Sequence, residues 1–372
     1  MHIVEKILSE IQEPLESDYN INVDPDDWKS FKEPLTNKIK FENRQKESLE
    51  IIKKILDVHG KKDIVRFLGK LASIEPQIQK LQPNVRDHIV HAINTFLIGV
   101  YILKKVNFPQ SNATHTDYRF MWKLCGPTHD LGYPIEFAHN LKKPFVDEMN
   151  GILDESGSLS PKLESEIYPK GLETLCGSRD ANEIIQERLT QWELDINIED
   201  YYKWLKRGNE IDHGVISALS QLKVIEAMYN KEYPRRENSF DFNQRNFDLD
   251  MVSASSALFI HNISQKYSGF SNKIKFDLSP LAFLLFLCDT FQEWDRDSGK
   301  ENGYSGENFD IICSNNEILL SVPEKIKCKI STKLSKRLSG LLVKVNKKVA
   351  VEYTVKPSAT LDCKIQAGLK HL

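Results

Sequence analysis

Several things are scarce in this chain of 372 residues. No run of about eighteen apolar residues occurs, so no segment reads as a helix that spans a bilayer. The six cysteines (Cys125, Cys176, Cys288, Cys313, Cys328 and Cys363) are scattered, and none forms a CxxC pair. That spacing argues against a zinc knuckle or a disulfide framework and favours buried free thiols in a reducing compartment. An excess of one charge is also lacking: 50 Lys and Arg face 53 Asp and Glu, a net charge of -3. So even a balance gives no global steering towards nucleic acid or an anionic membrane. The opening residues, Met1-His2-Ile3-Val4-Glu5-Lys6, lack a signal-peptide pattern. Internal repeats and low-complexity tracts are missing too. The expectation from these absences is a cytoplasmic chain with no membrane partner.

What is present is ordinary globular material, 40% hydrophobic and 28% charged. The length allows a large core and more than one domain. Residues from Met1 to about Lys80 read as helical packing, with an Asp- and Pro-rich loop near Asp24-Pro25-Asp26-Asp27, and no chemistry is legible there. A role in oligomerisation stays open. The next helix runs from Val85 to about Lys105, with Ile89, Ile93, Phe96, Leu97, Val100 and Leu103 as its apolar face. His88 and His91 lie three apart and neighbour each other on its surface. After a polar loop, an apolar helix reads on into His129-Asp130 and is broken by Tyr133-Pro134. His139, Lys142 and Lys143 follow. A polar stretch from 145 to 205 reads as an insertion of helices, with Trp192 and Trp204 packing part of it. Ile211-Asp212-His213-Gly214 opens another helix. One from about Asp250 to Ser264 carries His261. The apolar helix Pro280 to Trp294 holds a single acid in its middle, Asp289.

From about Asn308 the texture changes. Phe309 to Cys313 and Glu317 to Val322 read as strands about a turn. A helix with Leu334, Leu338 and Leu341 follows, then one more strand over Lys347 to Val355. Lysines recur through this segment (Lys325, Lys327, Lys329, Lys333, Lys336, Lys344, Lys347, Lys348) with few acids beside them. The pattern suits either a basic patch for a nucleotide or nucleic-acid strand or a solvated face. Few aromatics interleave the charges, which weakens a stacking platform for single strands.

Six residues are conspicuous: His91, His129, Asp130, His213, His261 and Asp289. Each sits at a helical position where an unpaired polar group is costly if buried. Any one of them alone reads as a hydrogen-bonded core residue. Together, four imidazoles and two carboxylates suffice for two divalent metals sharing a carboxylate. Imidazole suits Fe, Mn, Zn, Ni or Co, and carboxylates shift the preference towards harder ions such as Mg. Metals about 3.5–4 Å apart activate water and neutralise phosphate.

The order His91, His129-Asp130, Asp289 resembles the H…HD…D signature of the HD-domain metal-dependent phosphohydrolases. His213 and His261, lying between the HD pair and the last Asp, resemble the additional ligands of the six-ligand, two-metal branch. That branch includes the HD-GYP cyclic-dinucleotide phosphodiesterases and bacterial HD hydrolases of dinucleoside tetraphosphates. Thr128-His129-Asp130-Leu131-Gly132 is similar to the family's apolar-HD-[IL]-G step. Ala257 to Asn262 is similar to the segment with the last His, and Leu285 to Arg296 to the final apolar-Asp helix. The likeness covers residues 83 to 296. No Gly-Tyr-Pro follows His213, and Tyr133 stands where deoxynucleotide triphosphohydrolases often carry a His. Between His88 and His91 as first ligand, the apolar residues behind favour His91.

The resemblance implies a mainly α fold: an HD-domain helical bundle with a small α+β C-terminal appendage. Its segments would be an N-terminal helical stretch over 1–82, the HD domain over 83–300 and a basic α+β part over 301–372. It further implies water attack on phosphorus in a nucleotide or other phosphorylated substrate. His91, His129, Asp130, His213, His261 and Asp289 would hold divalent ions, two of them by this reading, with Asp130 as bridge and catalytic group. Arg296 would fork onto the phosphates that do not react, with Lys142 and Lys143 as further substrate contacts. Two alternatives stand beside this: an HD-type nuclease served by the basic tail, and a nucleotide sensor without catalysis.

Overall fold

The computed structural model describes residues 1–19, 21, 32–36, 41–56, 74, 77–78, 80–81, 87–106, 118–155, 171–175, 180–232, 247–263, 267, 274–276, 278–292, 294, 306–314, 317–322, 344–348 and 350–355. Among these the protein is a mainly helical bundle. Its principal helices are α1 (Ile3–Ser17), α2 (Phe41–Ile55), α3 (His88–Lys105), α4 (Tyr118–Cys125), α5 (Tyr133–Glu155), α6 (Ala181–Gln191), α7 (Ile198–Gly208), α8 (His213–Glu232), α9 (Val252–Ile260) and α10 (Pro280–Phe291). None of the described helices is long and apolar enough to cross a membrane.

Helix α3 is the first axis of the bundle. Its N-cap is Asp87, whose Oδ1 accepts from the backbone N of Val90 at 3.1 Å. Lys104 and Lys105 close its last turn, where cations suit the helix dipole. Every residue from His88 to Ile102 is buried, because neighbours cover it on several sides. Helix α1 lays Ile3, Val4, Ile7, Leu8, Ile11 and Leu15 inward and packs on α3. Helix α2 packs on it too, and Arg44 Nη2 reaches Asp87 Oδ2 at 3.0 Å in a buried pair. The N-terminal segment thus wraps the helix that carries His91.

Helix α9 is the second axis. Its sequence, Val252-Ser253-Ala254-Ser255-Ser256-Ala257-Leu258-Phe259-Ile260, is wholly buried. Small side chains let α4, α6, α8 and α10 all pack against it. Helix α10 is likewise buried along its whole length, Asp289 included. One core joins these helices, running from Ile3 to Ile318 in sequence.

Beyond the helices lies an antiparallel sheet with strand order β1-β2-β4-β3. Its strands are β1 (Asp310–Ser314), β2 (Glu317–Val322), β3 (Lys344–Lys348) and β4 (Ala350–Val355). The register pairs Ile311 with Leu320 and Ser321 with Glu352. Ile311 and Ile318 are buried in the main core, and Lys6 Nζ lies 2.5 Å from Asp310 Oδ1.

Four local expectations change. The helix before the HD pair stops at Cys125, and a short 3-10 turn, Gly126–Thr128, intervenes. Pro127 falls inside that turn, where it removes a donor that a continuing helix needs. His129 and Asp130 therefore stand on a corner between α4 and α5, and Pro134 opens α5 instead of ending a helix. The helix carrying His261 begins at Val252, after a π-helical turn over Phe247–Met251, and ends one residue before the histidine. The helix read from Pro280 to Trp294 ends at Phe291. The single strand expected over 347–355 is a hairpin, β3 and β4, in which Lys348 pairs with Ala350. The helix expected around Leu334, Leu338 and Leu341 lies outside the described residues, as does most of 57–86.

Candidate metal centre

The corner after α4 is held by tight packing. Gly132 approaches α8 so closely that a Cβ would sit 2.4 Å from His213 O and 2.7 Å from Ile216 Cβ. Its backbone N donates to Ser217 Oγ at 2.8 Å. A side chain larger than hydrogen would push the HD corner off the start of α8. Gly132 therefore brings His129-Asp130 and His213 to one place.

Three groups of ligand-type side chains result among the described residues: Glu136, Asp212 and His213 make one, and the six residues singled out in the sequence divide between the other two. His91, His129 and Asp289 form one, and Asp130, His213 and His261 form the other; within each, the ligand atoms lie within 4.8 Å of one another. His91 Nε2 is 3.0 Å from His129 Nε2 and 2.9 Å from Asp289 Oδ1. His213 Nε2 is 3.1 Å from His261 Nε2. Asp130 stands between the groups, with Oδ2 3.7 Å from His91 Nε2 and Oδ1 3.4 Å from His213 Nε2. All six sequence-expected ligands converge. Five are buried and His213 is nearly so.

The outer nitrogens explain what the inner ones face. His129 Nδ1 donates to Gly126 O at 2.7 Å, and His261 Nδ1 to Leu258 O at 2.5 Å. His91 Nδ1 donates to Gln292 Oε1, and His213 Nδ1 to Glu136 Oε2 at 2.6 Å. In each ring Nδ1 is engaged by an acceptor, so Nε2 is the nitrogen turned inward, and in the neutral ring it is the one that carries the lone pair. Four imidazole Nε2 atoms and two carboxylates thus point at one another, the nearest pairs about 3 Å apart. Such a set of closely spaced ligand-type atoms could hold a cation between its members. Two ligand atoms about 2.1 Å from one ion and at right angles lie about 3 Å apart, so the spacing fits a divalent metal.

Electrostatics differ between the groups. Burial lowers the pKa of His129 against the pull of Asp130 and Asp289, and a neutral imidazole is the form that binds metal. At His213 burial also favours the neutral ring. The Glu136 carboxylate, and then Asp130, outweigh it and hold the pKa up to about 10. A metal entering that group displaces the proton.

The remaining expected residues are distributed elsewhere. His88 is not in either group; its ring stacks on Tyr133 with centroids 3.6 Å apart. His91 is therefore the ligand-type histidine of the pair. Lys143 Nζ donates to Gly208 O at 2.7 Å, at the end of α7. Lys142 is half-buried on α5 and belongs to neither ligand group. Arg296 lies outside the described residues. His139 ties down the loop before α8 through Asn209 O at 2.8 Å.

Sequence reading did not single out Glu136 or Gln292, which engage the outer nitrogens of His213 and His91. Gln292 lies one turn beyond Asp289, so its position beside a ligand helix was a usable signal. Glu136 carries none: it is one more acid in the first turn of a helix. No family model, curated protein or solved structure matches the chain.

Proposed function

We propose that the chain is a metal-dependent phosphohydrolase of the HD type, acting on a nucleotide-type phosphoester or phosphoanhydride. The observation that supports this most is the convergence of four imidazole Nε2 atoms and two carboxylates whose order along the chain is H…HD…H…H…D. His91, His129 and Asp289 would hold one divalent ion, and His213 and His261 a second. Asp130 stands between the groups, its Oδ1 3.5 Å from His129 Nε2 and 3.4 Å from His213 Nε2, which suits a shared ligand that also orients the attacking water. Bound there, the ions supply an activated water and positive charge against the phosphate. The chain's own contribution is rigidity: pinned imidazoles keep the acceptors aimed inward before any ion arrives. Arg296 is proposed to hold phosphate oxygens of the substrate, as a guanidinium does by bidentate contact.

Metal analysis of the purified chain tests this, followed by Mn, Fe, Co, Ni, Zn or Mg with a panel of nucleotides, dinucleoside polyphosphates, cyclic dinucleotides and oligonucleotides. Two equivalents of metal and metal-dependent release of phosphate or nucleotide are expected. A protein that takes up no divalent ion, or that binds two and hydrolyses nothing on the panel, sinks the reading.

A further inference from the structure

Glu136 is not one of the six residues of the H…HD…H…H…D set, yet it shares a group of closely spaced ligand-type atoms with Asp212 and His213. It sits in the first turn of α5, six residues past Asp130, and is buried. Its Oε2 accepts twice from one residue: from the backbone N of His213 at 2.8 Å and from His213 Nδ1 at 2.6 Å. Both bonds come from the residue that begins α8, so a single carboxylate oxygen fixes where that helix starts and how its first ring is turned. Asp212, one residue earlier, does not share this task. Its oxygens are engaged by Tyr201 Oη, by the Gly214 backbone N at 2.7 Å and by Asn262 Nδ2 at 3.3 Å.

The other three histidines are pinned by neutral acceptors: Gly126 O, Leu258 O and Gln292 Oε1. His213 alone of the four has a carboxylate behind it. It is also the least buried, its side chain 12% exposed where those of His91, His129 and His261 are 1%, 0% and 1% exposed. A ring with room to turn needs a stronger hold. A carboxylate accepting from Nδ1 supplies that hold and increases the basicity of the opposite nitrogen.

We propose that Glu136 is a positioning residue for the ion held by Asp130, His213 and His261, and for that ion only. It aims His213 Nε2 at Asp130 and His261, adds negative charge behind one group, and leaves the His91–His129–Asp289 group untouched. The consequence is two ions of unequal affinity whose difference is set by an acid outside the ligand set. This rests on the two-metal reading above.

The test is calorimetric and elemental titration of the full-length protein with Mn²⁺, comparing wild type with Glu136→Gln and Glu136→Ala. Gln keeps an amide oxygen for both hydrogen bonds and loses only the charge; Ala loses both. In Glu136→Ala one of the two binding steps is expected to weaken about 10–100-fold, with the other unchanged. Glu136→Gln should fall between that and wild type, again in one step only. Nitrogen-15 NMR of the histidine rings in the metal-free protein gives a second readout: the Nδ1–H resonance of His213 should persist in Glu136→Gln and be lost in Glu136→Ala. Should Glu136→Ala fail to fold, the Gln variant decides alone. Equal weakening of both steps, or unchanged binding in Glu136→Gln, overturns the assignment while the two-metal reading stands. A wild-type protein that binds no ion removes both.

Discussion

Asp130 Oδ1 faces both His129 and His213, so the loss of Asp130 is felt at both halves of the centre. Asp130→Ala is expected to cut hydrolysis by more than about 100-fold, beyond the 10–100-fold that changes outside the ligand set cost, and to lower bound metal. Elemental analysis and steady-state rates on folded variant measure this, and undiminished turnover removes Asp130 from the mechanism. The His88–His91 pair is equally decidable. His91 Nε2 touches both His129 and Asp289, whereas His88 lies against Tyr133. Metal content should therefore fall in His91→Ala and hold in His88→Ala. The reverse pattern would exchange their roles.

Elements meet at this centre because small residues let them. Gly132→Ala puts a methyl against His213 O and Ile216 Cβ. Overpacking of this kind costs about 1–3 kcal/mol, and here it also moves α8 off the HD corner. A lower melting temperature together with weaker metal binding is the expected pair of effects; a variant that binds metal as wild type does would show that the corner can yield. Burial also silences thiols. Burial pushes Cys125 and Cys288 well above the ordinary thiol range, and Cys313 up to about 12. A raised thiol pKa keeps the reactive thiolate scarce at all pH values below it. Iodoacetamide at pH 8 should leave these three unmodified in the native protein and label them after unfolding, as peptide mass spectrometry would show. Rapid native labelling of Cys125 or Cys288 would mean that α4 or α10 opens.

At the scale of the whole molecule, the strands after residue 308 share the helical core. Phe309, Ile311 and Ile318 are 5%, 1% and 1% exposed. Fully burying a large apolar side chain is worth about 1.5–3 kcal/mol, so a chain ended after residue 305 forfeits several kcal/mol. Its melting temperature should fall by several degrees or more; thermal unfolding by circular dichroism checks this, and an unchanged midpoint would show that β1 and β2 contribute nothing to the bundle. Any loss of oligonucleotide affinity on that truncation has then to be compared at matched folded fraction. The salt slope of binding is the sounder measure of the lysines in the segment, because it counts phosphate contacts.

Helix periodicity, apolar stripes and the order of His91, His129, Asp130, His213, His261 and Asp289 are local properties, so the mainly helical character and the ligand-type set were legible in the chain alone. A buried acid inside Leu285-Phe286-Leu287-Cys288-Asp289 announces itself because burying it unpaired is costly. What only the tertiary structure decided depends on residues distant in sequence reaching one point. The HD pair meets the start of α8 because Gly132 fits closely against it. His91 lies beside Asp289, 198 residues away, because α3 and α10 pack together. Glu136 meets His213 across 77 residues, and nothing in the local pattern of an acid in a first helical turn distinguishes one that caps its own helix from one that aims another helix's imidazole.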